Sequence, residues 1–257
     1  MDEETGFYYY GARYYNPQTS VWLSVDPLAD KYPNMSPYIY TANNPVNYID
    51  PDGRKITDPI DRLNKMLANA KLQSAIAESF EGSHLSYGVQ EQGWYFNKDF
   101  IKIDPRTGSP FSDSDLKNAS VPIDKKISLK DKLGYFHTHP STENTPTAFS
   151  PNDIKILGDL IKEGAKEGFT MLIQTEQDIT YALVVTDKKA AKKFFKNNDV
   201  FKEYNKQYNS RAKGDELTKT TENAVLSAIG EGSGVEFFKG TKDAEGKVQF
   251  KKVTKNE

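Results

Sequence analysis

The 257-residue chain predicts an α/β or α+β body preceded by a short β-rich segment. Three observations carry this expectation. Residues 1–54 are crowded with Tyr and Pro. After about residue 55, stretches of helical and strand periodicity alternate. Gly, Pro, Asn and Asp punctuate the joints between those stretches.

Nine of the 15 Tyr stand at positions 8, 9, 10, 14, 15, 32, 38, 40 and 48, and Pro recurs at 17, 27, 33, 37, 45 and 51. Short aromatic strands broken by Asn-Pro and Asp-Pro turns fit this composition, and a helix does not. Such a segment is too short to bury its own aromatics, so it reads as the last fragment of a larger β-rich assembly.

A helix follows. Asp58-Pro59 makes a cap and first-turn pair, with Ile60, Leu63, Met66 and Leu67 at helical spacing. A second helix carries Leu72, Ile76 and Phe80 and ends near Gly82. Strands are expected over Leu85–Val89, Gly93–Asn97 and Phe100–Ile103. A polar loop then spans Asp104–Lys126. Leu133–His139 reads as a strand and Pro140–Phe149 as a loop. Ser150-Pro151 opens a helix with Ile154, Leu157, Leu160 and Ile161 on one side, stopping at Gly164. Paired strands are expected over Phe169–Gln174 and Thr180–Thr186. One charged helix is expected over Lys188–Tyr208, with Ala190, Ala191, Phe194 and Phe195 as its buried side. Another helix is expected over Glu216–Ile229, and a closing hairpin from Val235–Lys239 and Lys247–Val253.

Composition narrows the chemistry. The chain has no Cys, so disulfides and thiolate ligands are excluded, and a metal must be held by His and carboxylates. Lys and Arg total 34 against 36 Asp and Glu, which gives no reason to expect nucleic acid as the main partner. The hydrophobic share of 37% is low for a compact domain, so part of the chain is expected to be loop or tail. No apolar run is long enough to span a membrane. The first ten residues lack the basic end and apolar stretch of a secretory signal.

Two of the three His are His137 and His139, in Gly134-Tyr-Phe-His-Thr-His-Pro140. Strand side chains alternate, so both imidazoles point to one face, as a strand must arrange them to offer two nitrogens to one metal. Ser150 and Asp153 stand three apart at a helix start and can both face the strand end. Asp153 then supplies a third ligand. Two His and one carboxylate, with water in the fourth position, is a catalytic zinc pattern. The same Ser-x-x-Asp is also a capping-box pattern, and both readings can hold together. A proton acceptor is needed beside such a site. Glu78, Glu81 and Glu91 are candidates. Glu91 is favoured because it opens a strand-like segment and Gly93 lets neighbouring backbone come close. Ser150 can serve as a hydrogen-bond donor to an oxyanion.

Glu91, His137-Thr-His139-Pro140 and Ser150-x-x-Asp153, in that order, resemble the signature of the JAB/MPN (JAMM) metallopeptidases, over about residues 75–190. The resemblance implies a mixed sheet flanked by helices and a zinc-activated water, with peptide or isopeptide bonds cut. It implies Glu91 as acid/base, His137, His139 and Asp153 as zinc ligands, and Ser150 as oxyanion partner. The Pro140–Phe149 loop, at ten residues, is longer than is usual in that family.

Residues 3–54 resemble the end of the RHS-repeat core domain. The matching runs are Glu4-Thr-Gly-Phe-Tyr-Tyr-Tyr-Gly-Ala-Arg-Tyr-Tyr-Asn-Pro17, Trp22-Leu-Ser-Val-Asp-Pro27, Tyr38-x-Tyr40, Asn43-Asn-Pro45 and Asp50-Pro-Asp-Gly53. Together the two resemblances imply an RHS remnant over 1–54 and a JAB-like metalloprotease toxin domain over 55–257. They also imply a bacterial protein exported to act in a target cell, and a cognate immunity protein as partner. Many RHS proteins cut themselves at paired Asp-Pro motifs. Here Asp26-Pro-Leu-Ala29 lacks the usual Gly and Arg54 follows the second motif, so self-cleavage is not carried over. Two rivals stay open: a metal-dependent nuclease using the same ligands, and a non-catalytic binding module.

Overall fold

The structure is a computed structural model. It describes residues 2, 4–31, 35–43, 45, 48, 50, 53, 59–85, 88–89, 91–104, 128–140, 147–210 and 216–255. The chain divides into two compact units, Met1–Leu63 and Asn64–Glu257.

In the first unit, β1 (Tyr8–Tyr9), β2 (Tyr14–Asn16) and β3 (Val21–Trp22) form an antiparallel sheet in that order. Trp22 is its centre. The rings of Tyr10, Tyr15 and Tyr40 lie 5.2, 5.6 and 5.5 Å from it. The Arg13 guanidinium stacks over the same indole at 4.3 Å. That guanidinium is buried, and a buried charge needs partners. Its Nη2 lies 2.9 Å from both Asp26 and Asp50, and it donates to the carbonyls of Gly53 and Pro37. Tyr9, Tyr14 and Tyr38 remain exposed within a unit too small to cover them.

Helix α1 (Pro59–Leu67) buries Leu63, Met66 and Leu67 at helical spacing. The proposed cap Asp58 lies outside the described residues. In the second unit α2 (Ala70–Gly82) starts at Asn69, whose side chain accepts from the Lys71 and Leu72 amides. The strands that follow are β4 (His84–Leu85), β5 (Gly88–Val89), β6 (Gly93–Asn97), β7 (Lys102–Ile103) and β8 (Lys132–His139). Then come α3 (Pro151–Glu163), β9 (Thr170–Thr175) and β10 (Thr180–Val185). The chain ends with α4 (Lys188–Asn197), α5 (Val200–Asn209), α6 (Leu217–Ile229), β11 (Val235–Lys242) and β12 (Val248–Lys252).

Seven strands form a mixed sheet in the order β12-β11-β10-β9-β8-β6-β7. Only β8 and β9 run parallel, and α3 is the crossover that a parallel pair requires. One face packs Tyr135, Met171, Ile173, Tyr181, Leu183 and Phe237 against α3, α5 and α6. Phe195 of α4 lies flat on Gly158 of α3, where a β-carbon would come within 2.5 Å of the ring. Trp94, Phe96 and Phe136 point to the other face, and the Trp94 indole donates to Ser79 of α2 at 2.9 Å. The α/β class is as the sequence predicts.

Three expected elements differ. Lys188–Tyr208 is two helices. Asn198 turns extended and Asp199 caps α5 by accepting from Phe201 and Lys202, because short polar side chains compete for backbone amides. Ala191 and Phe195 are buried as expected, whereas Ala190 and Phe194 are half-buried. In place of one strand over Leu85–Val89, His84–Leu85 pairs antiparallel with Gly88–Val89. The strand expected from Phe100 starts at Lys102, since Phe100 has φ of 55°. Of the expected loops, residues 105–126 and 141–146 lie outside the described residues.

Candidate metal centre

Strand alternation sends Tyr135, His137 and His139 to the helix-covered face of β8. Both imidazoles are buried, and their Nε2 atoms stand 3.0 Å apart. Asp153 comes from the first turn of α3. Its Oδ1 lies 3.2 Å from His137 Nε2 and its Oδ2 lies 3.3 Å from His139 Nε2.

The start of α3 explains why Asp153 points there. Ser150 is the N-cap. Its backbone amide and its hydroxyl each donate to Asp153 Oδ2 at 2.7 Å, and the Asp153 amide donates back to Ser150 Oγ at 3.3 Å. The capping box thus aims the carboxylate. Just upstream, Ala148 and Phe149 are wholly buried, which seats the helix start in the core. The ring of Phe149 lies 6.4 Å from that of His137.

Glu91 is placed by its neighbour. The Gln92 amide donates to Thr138 Oγ1 at 2.9 Å, and the Thr138 amide donates to the Gln92 carbonyl at 2.8 Å. This exchange locks the residue before β6 onto the end of β8. Glu91 then stands at the rim, its side chain about half exposed, with Oε1 4.0 Å from His139 Nε2. Glu78 points elsewhere, to Lys102 and Ser74, and Glu81 lines a different cavity.

The donor set fits a divalent transition metal. The two nitrogens are 3.0 Å apart, and each has its own Asp153 oxygen at 3.2 or 3.3 Å, so imidazole and carboxylate donors converge on one small space. All three ligand atoms lie within 4.8 Å of one another. Burial alone would push the Asp153 carboxyl up, but the two imidazoles outweigh it and hold it well below the usual range. The carboxylate therefore stays ionised, as a ligand must be.

Two tyrosines at the site escaped the sequence reading. Tyr135 and Tyr204 of α5 are buried, and their hydroxyls have no hydrogen-bond partner among the described residues. Burial pushes both phenols up, and the Asp153 charge adds to each shift. Tyr135 shares its parity with His137 and His139, a signal that was present in the sequence. Tyr204 is brought in by tertiary packing alone.

No family profile and no solved structure matches the chain. Parts of several curated proteins do, three of which follow. Toxin subunit YenC2 of Yersinia entomophaga is 43% identical over 68 residues, 26% of this chain and 7% of that protein. The tRNA nuclease WapA of Bacillus subtilis is 49% identical over 55 residues, 20% of this chain and 2% of that protein. Salivary gland surface protein 1 of Aedes aegypti is 49% identical over 103 residues, 40% of this chain and 3% of that protein. The chain thus spans only a small fraction of each relative's length. Among the described residues, no helix is long and apolar enough to cross a membrane.

Proposed function

We propose that residues 55–257 form a zinc-dependent peptidase or isopeptidase of the JAB/MPN kind, the C-terminal toxin of an RHS-type protein. The observation that carries this reading is the buried His137, His139 and Asp153 cluster with the Glu91 carboxylate at its open rim. Those three residues would hold a zinc ion, which would supply a Lewis acid able to lower the pKa of a bound water toward about 7. Glu91 is the proton carrier: it accepts a proton from the attacking water and delivers it to the leaving nitrogen as the amide bond breaks. Exposure at the rim lets Glu91 reach both. Ser150 has two roles to reconcile. Its hydroxyl donates to Asp153 here, and it would rotate toward substrate to serve an oxyanion.

The toxin assignment rests on the partial identity to YenC2 and WapA. With it come a cognate immunity protein and action in a target cell after export. A metal-dependent nuclease is the second reading, favoured by the WapA match. The near-neutral charge, 34 basic against 36 acidic residues, weighs against a phosphate-binding surface.

Elemental analysis of wild type and a His137→Ala/His139→Ala variant tests the centre. About one zinc per chain, lost in the variant, is expected. The zinc-loaded chain is then offered peptide and isopeptide-linked proteins beside tRNA and DNA. Cleavage of the amide substrates, abolished by Glu91→Gln with zinc retained, is expected. Cleavage of nucleic acid alone would turn the assignment to nuclease. Undiminished toxicity of Glu91→Gln would turn it to a binding module.

A further inference from the structure

A metal-binding imidazole must have its second nitrogen held, or the ring rocks and the tautomer is undefined. His137 offers Nε2 to the cluster, so Nδ1 must carry the proton and needs an acceptor. His137 Nδ1 is buried and has no partner among the described residues. The Tyr135 hydroxyl is likewise buried and unpartnered. A buried polar group left without a hydrogen bond costs about 1–3 kcal/mol, so two orphans side by side call for one solution.

The two side chains are neighbours. Tyr135 and His137 share a face of β8, and their ring centroids are 5.6 Å apart. Gly93 is the residue opposite His137 on β6. A β-carbon at Gly93 would collide with the Tyr135 hydroxyl oxygen and stand 3.2 Å from His137 Cβ. The hydroxyl therefore lies over Gly93, at the flank of the His137 side chain, in room that only glycine leaves. A neutral tyrosine oxygen is both donor and acceptor, and buried waters bridge such groups as a rule.

We propose that Tyr135 is a positioning residue of the metal centre: seated over Gly93, its hydroxyl oxygen, through one bridging water, accepts the hydrogen bond that His137 Nδ1–H donates, and so fixes Nε2 toward the metal. This rests on the metal reading above. Tyr135 touches neither metal nor substrate, and its effect passes through His137. Gly93 is the second half of the device, because any side chain there displaces the hydroxyl.

The test is zinc affinity of the full chain, by competition with a chromophoric chelator, for wild type, Tyr135→Phe and Gly93→Ala. A Tyr95→Phe control changes the cross-strand neighbour of Tyr135. Removing an outer-shell partner is expected to weaken zinc binding by about 10–100-fold in Tyr135→Phe and in Gly93→Ala, with Tyr95→Phe near wild type. In NMR of the zinc form, an exchange-protected imidazole N–H proton of His137 should be present in wild type and lost in Tyr135→Phe. Should Tyr135→Phe fail to fold, Gly93→Ala carries the affinity test. A wild type that binds zinc while both variants bind it equally well, with the N–H signal intact, overturns this inference alone. A wild type that takes up no zinc overturns the metal reading and this inference with it.

Discussion

The ligand atoms of His137, His139 and Asp153 are already within 3.3 Å of their neighbours, so binding zinc requires little rearrangement. Its binding energy should appear as stability of the Asn64–Glu257 unit. At free zinc about 1,000 times its Kd, a ligand that binds only the folded state contributes about 4 kcal/mol. For a unit of this size, each kcal/mol moves the midpoint by about 2–4 °C, so a rise of about 8–16 °C is expected. Asp153→Asn keeps the shape and removes the charge. An affinity loss of about 100-fold leaves about 1.4 kcal/mol at the same zinc concentration, or about 3–6 °C. The variant also weakens the capping box, because its amide nitrogen cannot accept from Ser150. The quantity to compare is therefore the shift between chelator and zinc within each protein, by calorimetry. A wild-type shift below about 1 °C would refute the reasoning. A full shift in Asp153→Asn would place the ion elsewhere.

Three further perturbations have defined outcomes. Ser150→Ala deletes the N-cap and should cost about 1 kcal/mol in the metal-free chain, whereas Ser150→Gly should cost only a few tenths; equal melting curves would show that the cap contributes nothing. Arg13→Ala leaves Asp26 and Asp50 buried without their cation and should destabilise the first unit by about 3–5 kcal/mol, read as faster amide exchange over residues 8–22. The Phe80 carbonyl, against some desolvation, and then Glu176 hold His84 above its usual 6.5. The raised folded pKa means that this stabilisation is fully present below about 6.5 and fades as pH climbs through the folded value. His84→Ala should therefore lower the melting point at about pH 5.5 and leave it unchanged at about pH 9. A folded His84 pKa at or below 6.5 by NMR would sink this expectation.

Much of the centre was legible because it is built from local rules. Strand parity places His137 with His139, and a capping box places Asp153 with Ser150. Glu91 was harder, since no local pattern joins it to His139. The Gln92–Thr138 exchange does so across 46 residues of chain. Tyr204 was illegible for the same reason, because only the packing of α5 on α3 brings it near. The Arg13, Asp26 and Asp50 cluster is likewise assembled from positions with no periodic relation. The break at Asn198–Asp199 could have been read: an Asn-Asp pair inside a charged helical run is a cap before it is a helix interior.

The Pro140–Phe149 segment joins two anchored ends. Upstream, His139 is the last residue of a paired strand. Downstream, Ala148 and Phe149 are embedded in the core and Ser150 is tied to Asp153. Length added between those ends costs little, since loop closure grows only with the logarithm of the length. The segment can therefore be exchanged like a tool bit in a fixed chuck. Changes of length or sequence between those ends leave the buried His137, His139 and Asp153 on their own elements.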